Sequence, residues 1–123
     1  MTHYMVFEYL YRDAGNYKTW GELLLEGYLS EAEIERMKAR FQDGEFFIPE
    51  QIGISSLCEQ LWLVCQSEPS DELDHVWHEF SEIRAATNED LARLKLWGEA
   101  AALLVSVEKV GAWDLSRSPN WAL

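Results

Sequence analysis

The residues best suited to chemistry lie together in one short stretch, residues 74–80. It holds two imidazoles, two carboxylates and two aromatic rings: Asp74, His75, Trp77, His78, Glu79 and Phe80. Two histidines and a carboxylate are a ligand set that zinc, manganese or iron accepts in proteins. One interpretation is therefore a small metal-dependent or acid/base hydrolase centred on His75, His78 and Glu79.

The spacing of the two histidines argues against a shared metal ion. Residues 75–83 alternate in a way that predicts a strand, in which neighbouring side chains point to opposite faces. This places His75 and Glu79 on one face and His78 and Glu82 on the other, so the two histidines would need a bulge to reach one ion. The order of residues also differs from the His-Glu-x-x-His zinc motif. We predict no metal and no cofactor, with His75 and His78 as the ligand candidates if a metal binds.

Other catalytic patterns are missing from the sequence. It has no Gly-x-Ser-x-Gly elbow and no glycine-rich phosphate loop. Cys58 and Cys65 have apolar neighbours and no adjacent cation, so we predict reduced, buried thiols. The turn at residues 11–18 could read a polar ligand, but we interpret it as a hairpin turn stapled by a contact between Arg12 and Asp13.

The charge balance restricts the partners of this chain. Its 123 residues include 22 acidic and 10 basic side chains, for a formal net charge of −12. Nucleic-acid affinity comes mainly from lysine and arginine neutralising phosphates, so we predict no direct nucleic-acid binding and attraction to basic protein surfaces instead. The sequence has no secretory leader and no apolar run of about 18–20 residues, which predicts a cytoplasmic protein without a membrane span.

Aromatic residues indicate a binding surface. Six tryptophans, five tyrosines and five phenylalanines are more than the core of so short a chain can bury, so some rings must be exposed among the acids. We predict a non-enzymatic inhibitor or immunity-type protein that masks a basic surface of a toxin, a nuclease or a defence-complex subunit. The predicted partner-binding residues are Glu68, Asp71, Glu72, Asp74, Trp77, Glu79 and Glu82. Besides the hydrolase, a subunit of a larger assembly and a homodimer remain open.

The first half of the chain predicts a hairpin followed by a helix. Alternating side chains predict strands at residues 4–11 and 18–26, which are close enough in sequence to pair antiparallel. Ser30 followed by Glu33 has the capping-box spacing and opens the helix. Residues 45–50 predict a short extended piece that ends at a proline.

The second half is less regular. Residues 57–65 fit either a strand or a helix, because short apolar runs do not distinguish the two. A last helix is predicted from residue 87 or 88 to about residue 109, and residues 112–123 form either a strap packed on the body or a frayed end. Together the elements predict one α+β domain, residues 1–123, with a small, mostly antiparallel sheet and two helices packed on one face.

Three segments carry a resemblance to a known group of proteins. They are FEYLYRDAGNYK (residues 7–18), GEFFIPE (residues 44–50) and DHVWHEF (residues 74–80). Together they resemble a family of short, acidic bacterial proteins that has no assigned catalytic residues, so the resemblance implies no site. The size and acidity are also similar to those of immunity proteins of bacterial toxin systems and of phage-borne inhibitors of bacterial defence.

Overall fold

A computed structural model of the chain describes residues 3–65 and 75–117. These residues form a five-stranded sheet with the strand order β3-β4-β1-β2-β5, together with four α-helices. The strands are β1 (Tyr4–Arg12), β2 (Lys18–Glu26), β3 (Phe46–Phe47), β4 (His78–Ala85) and β5 (Leu96–Glu99). The helices are α1 (Glu31–Arg40), α2 (Cys58–Cys65), α3 (Asn88–Arg93) and α4 (Ala100–Glu108), with 3-10 turns at Pro49–Gln51 and Leu115–Arg117. The predicted α+β class is confirmed, and the ambiguous residues 57–65 contain a helix.

The predicted N-terminal hairpin is confirmed. Strands β1 and β2 pair antiparallel in an unbroken register from Tyr4↔Glu26 to Arg12↔Lys18. The turn between them is held by Asp13, whose Oδ1 accepts hydrogen bonds from the backbone N–H groups of Gly15 (2.9 Å) and Tyr17 (3.0 Å). Arg12 does not staple this turn through Asp13 as predicted: its guanidinium instead donates to residues 16 and 79.

Helix α1 begins where its sequence predicts. Ser30 Oγ accepts from the Glu33 N–H (3.2 Å), and Glu33 Oε1 accepts from the Ser30 N–H (3.0 Å), which completes the capping box. These hydrogen bonds from Ser30 lower the pKa of Glu33. Met37 of this helix is fully buried in the core. Because the caps satisfy backbone donors at the helix start, this helix is specified locally.

The core lies between one face of the sheet and helices α1, α2 and α4. The helices contribute the buried side chains of Met37, Leu61 and Leu103, and β1 contributes those of Phe7 and Tyr9. Four phenylalanine rings pack together here. The ring centroid of Phe7 lies 5.3 Å from that of Phe80 and 6.0 Å from that of Phe47, and the centroids of Phe41 and Phe47 are 5.2 Å apart. Tilted and edge-on rings at such distances pack favourably beyond the area they bury.

The single long helix predicted after residue 87 is wrong. Helix α3 ends at Arg93. The chain then adopts an extended conformation in β5, which pairs parallel with β2 through Leu24↔Leu96 and Glu26↔Glu99. Helix α4 begins only at Ala100. Hydrogen bonding to the open edge of β2 outweighs the helical spacing of the apolar residues, and a glycine within β5, Gly98, weakens the helical alternative.

Strand β4 starts at His78, three residues later than predicted, and contains a bulge. Glu8 lies opposite Glu82 whereas Tyr9 lies opposite Phe80, so Ser81 is an extra residue. A bulge reverses the alternation of side chains beyond it. Glu79 and Glu82 therefore share one face of the sheet instead of occupying opposite faces as the sequence predicted.

One structural feature bears on membranes. The helices found in residues 3–65 and 75–117 have at most ten residues, as in α1. None of them is long and apolar enough to cross a bilayer.

Replacing Gly21 with alanine should destabilise the fold. A Cβ at this position would lie 2.8 Å from Tyr9 Cε1 and 2.9 Å from Leu57 Cδ2, and both side chains are buried. We expect Gly21→Ala to lower the free energy of unfolding by about 1–3 kcal/mol, measured by urea denaturation. Gly98→Ala is the control, because a Cβ there meets nothing within 4 Å. Equal stability of the two variants would contradict the close packing described for Gly21.

Candidate functional site

His75 lies just before β4 and is held by backbone groups. Its Nε2 lies 2.6 Å from the carbonyl oxygen of Arg12, and its Nδ1 accepts a hydrogen bond from the Trp77 N–H (3.0 Å). An imidazole that accepts at Nδ1 carries its proton at Nε2 when neutral, so Nε2 donates to Arg12. Both ring nitrogens are thus engaged in positioning the chain around Trp77.

His78 is sealed in the core. Its side chain is 1% exposed, and its Nε2 accepts a hydrogen bond from the Leu57 N–H (3.0 Å). Burial lowers the pKa of His78 to about 3; the backbone of Val76 opposes the shift and His75 adds to it. Its Nδ1 is buried and has no hydrogen-bond partner of good geometry among the described residues. His78 is therefore a neutral core residue.

The predicted separation of the two histidines onto opposite faces is wrong. Residues 75–77 do not belong to the strand, and both imidazoles pack on Tyr11, at ring-centroid distances of 5.2 Å for His75 and 5.1 Å for His78. Glu79 turns away to Arg12, with Oε2 3.0 Å from Nε. In the part of the chain that the structure describes, no group of three or more histidine, cysteine or acidic side chains is arranged to hold a metal ion.

Trp77 lies at the junction of two open cavities. The first has a volume of about 480 Å³ and is lined by Gln42, Asp43, Phe46, His75 and Trp77. The second has about 550 Å³ and is lined by Ala39, Arg40, Gln42, Trp77, Val110, Gly111, Ala112, Trp113 and Leu115. Since Gln42 and Trp77 line both, the cavities adjoin. We call them the Asp43 cavity and the Arg40 cavity, and together the Trp77 groove.

A tight turn after α1 positions one wall of the Asp43 cavity. The Gln42 N–H donates to the Phe46 carbonyl (2.7 Å), and the Phe46 N–H donates back to Gln42 (2.9 Å). Between them Asp43 and Gly44 both adopt positive φ, 55° and 74°. Aspartate, asparagine and glycine tolerate this left-handed backbone better than other residues, so the Asp-Gly pair suits the turn. Asp43 and Phe46, both in this turn, line the Asp43 cavity.

The residues after α4 form the far wall of the Arg40 cavity. The Gln51 side chain pairs with this segment twice, donating from Nε2 to the Ala112 carbonyl (3.2 Å) and accepting at Oε1 from the Asp114 N–H (2.6 Å). Trp113 Nε1 donates to the Arg40 carbonyl (2.9 Å), and its ring meets Trp77 edge-on at 6.4 Å. These contacts hold residues 112–114 in place; residues 118–123 of the predicted strap or tail lie outside the described residues.

The sheet face opposite the core carries a row of acids balanced by arginine. Glu8 lies between Glu22 on β2 and Glu82 on β4 in the register. Arg84 forms ion pairs with Glu8, with Glu22 (3.2 Å) and with Asp90 (2.6 Å). The hydrogen bonds to Asp90 and Glu8 raise the pKa of Arg84, and the hydrogen bonds from Arg84 hold the pKa of Asp90 well below its usual range. The cluster ties α3 to the sheet and offsets the repulsion within the row.

The predicted partner-binding residues have different environments. Trp77 lines the groove, and Glu82 is exposed on β4. The Glu79 side chain is only 14% exposed and is paired with Arg12, so it is committed within the molecule. The predicted acids Glu68, Asp71, Glu72 and Asp74 lie outside the described residues.

Most of the groove cannot be recognised from the sequence. Its walls come from three separate stretches of the chain, residues 39–46, 75–77 and 110–115, which meet only in the fold. The one local signal in the sequence is the Asp-Gly pair at residues 43–44, which is typical of tight turns. Comparison of the chain with protein-family models, with curated proteins and with solved structures finds no match.

The burial of His78 should make stability depend on pH. Its pKa of about 3 lies below the ordinary value of 6.5, so the unfolded chain binds more protons between these values and stability falls as the pH falls through that window. From about pH 7 to about pH 5 the wild type should lose about 2 kcal/mol through this residue. His78→Gln keeps an acceptor for the Leu57 N–H and should remove that part of the loss.

The measurement is urea denaturation of both proteins at each pH. His75→Gln is the matched control and should retain most of the wild-type dependence, because burial of the His78 ring is the main cause of its lowered pKa and His75 is a smaller one. An unchanged pH dependence in His78→Gln would show that another group is responsible.

Proposed function

We propose that this chain is a cytoplasmic, non-enzymatic binding module that covers a basic surface of a partner protein. The partner class is a toxin, a nuclease or a subunit of a defence complex. The observation that carries the proposal is the Asp43 cavity, where aromatic rings surround an open space beside a carboxylate in a chain of net charge −12. Such a cavity suits a lysine or arginine side chain.

The chemistry of the cavity walls explains this preference. The faces of the Trp77 and Phe46 rings carry negative electrostatic potential, which attracts an ammonium or a guanidinium group. Asp43 can add a charge-assisted hydrogen bond to the same cation. The aliphatic stem of the bound side chain would pack against the apolar walls while its charged end reaches the carboxylate.

The charge of the whole chain would act at longer range. The acids Glu68, Asp71, Glu72 and Asp74 come shortly before Trp77 in the sequence, and Glu82 is exposed on β4. Their combined field would accelerate encounter with a basic partner and would be screened by salt. Glu79 is left out of the proposed contact set because it is already paired with Arg12.

Selection from a random linear peptide library displayed on phage tests the proposal. The immobilised protein is the target, and the bare support without protein serves for counterselection. Enriched peptides should contain lysine or arginine, and synthetic copies should bind more weakly as salt rises from about 50 mM to about 500 mM. Peptides without a cationic residue, or with affinities indifferent to salt, would overturn the proposal.

Variants of the cavity sharpen the test. Trp77→Ala should weaken peptide binding by about 2 kcal/mol or more, measured by isothermal titration calorimetry. Asp43→Asn keeps a residue that tolerates positive φ and should weaken it by about 1 kcal/mol. Trp20→Ala and Glu45→Gln are the controls: Trp20 is 51% exposed and Glu45 is in the same turn as Asp43, but neither lines the groove. If the controls weaken binding as much as the cavity variants, the site lies elsewhere.

A further inference from the structure

Arg40 differs from the other arginines whose side chains the structure describes. Arg12, Arg36, Arg84 and Arg93 each form an ion pair with a carboxylate. Within residues 3–65 and 75–117 no carboxylate pairs with Arg40, although the chain has 22 acidic and only 10 basic residues. Arg40 is exposed and is one of the residues that line the Arg40 cavity. This cation is therefore available to a ligand.

The surroundings of Arg40 favour an anionic ligand with an apolar body. Trp77, Trp113, Val110 and Leu115 are the large apolar residues of the wall. Trp113 is fixed by its hydrogen bond to the Arg40 carbonyl, so the position of the cavity wall is tied to the residue that carries the charge. Low-dielectric walls strengthen the attraction between a guanidinium and a carboxylate compared with open water.

The two cavities together favour a ligand with a positive charge at one end and a negative charge at the other, which we call the charge order. They share Gln42 and Trp77, so a segment that crosses Trp77 meets the Asp43 carboxylate on one side and the Arg40 guanidinium on the other. A segment with only basic side chains would be attracted to the Asp43 carboxylate and repelled by the Arg40 guanidinium. Such a repulsive element distinguishes one partner from another as effectively as an attraction does.

We infer that the Trp77 groove recognises an extended peptide segment that carries a cationic side chain and a carboxylate on either side of the residues lying over Trp77. The cation enters the Asp43 cavity and the carboxylate enters the Arg40 cavity. The inference rests on the proposed function, since it names the partner chemistry of the same site. The carboxylate is supplied by an aspartate or glutamate side chain or by the end of the peptide chain.

Matched synthetic peptides test the charge order. A selected peptide is compared with a copy in which its acidic residue is replaced by the corresponding amide, by isothermal titration calorimetry. The amide copy should bind the wild type about fivefold more weakly, as expected for loss of one partly exposed ion pair. Arg40→Gln should bind both peptides equally, and Arg40→Lys should recover part of the discrimination. A free-acid and an amidated C-terminus on the same peptide distinguish a side-chain carboxylate from a terminal one.

Lys38→Gln is the control for Arg40→Gln. It lies on the same helix and changes the net charge equally, but its ammonium pairs with Glu35 and does not line the groove. It should discriminate between the two peptides as the wild type does. The unfolding transition of each variant, followed by circular dichroism, ensures that folded proteins are compared.

Separate outcomes address the two proposals. If Arg40→Gln discriminates acid from amide as the wild type does, or if no selected peptide contains a carboxylate, the charge order is overturned while the role of the Asp43 cavity stands. If peptide binding is indifferent to Trp77→Ala, the proposed function itself fails.

Discussion

The end of β1 determines where the groove can form. Tyr11 packs on the rings of both His75 and His78, and its hydroxyl accepts a hydrogen bond from the His75 N–H (3.2 Å). The next residue, Arg12, binds the His75 ring through its carbonyl and the Glu79 carboxylate through its guanidinium. Two adjacent residues of a central strand thus hold the whole stretch that carries Trp77. The histidines and Glu79 of residues 74–80 therefore serve to orient the Trp77 ring.

The acidic side chains of this protein fall into two groups, those paired with arginine within the fold and those exposed to solvent. On the sheet face away from the core, Arg84 and Arg93 neutralise acids that would otherwise repel one another across neighbouring strands. Glu79 is likewise paired. The remaining exposed acids, including Asp43 and Glu82, contribute to the external field. A net charge alone therefore does not identify binding residues, because the most strongly positioned acids are those already satisfied within the fold.

The groove is built mainly from short connecting segments, each anchored by specific hydrogen bonds. The turn at residues 42–46 closes on itself through backbone hydrogen bonds, and Gln51 fastens the segment after α4. Binding residues often lie on connections that a rigid scaffold positions. Pre-positioned walls reduce the loss of conformational entropy when a ligand binds, which favours recognition by a small site.

The sequence by itself determined the parts that depend on neighbours in the chain. The hairpin follows from alternation around a turn led by Asp13, and α1 follows from its capping box, because both are stabilised by contacts within a few residues. Only the tertiary structure decided the rest. Residues 96–99 became a strand because β2 offered an open edge, and the bulge at Ser81 brought Glu79 and Glu82 to one face. The tertiary structure also buried the ring of His78, paired Gln51 with a distant backbone segment and left Arg40 without a carboxylate among the described residues. Each outcome depends on which distant segments meet and on the free energy of removing them from water.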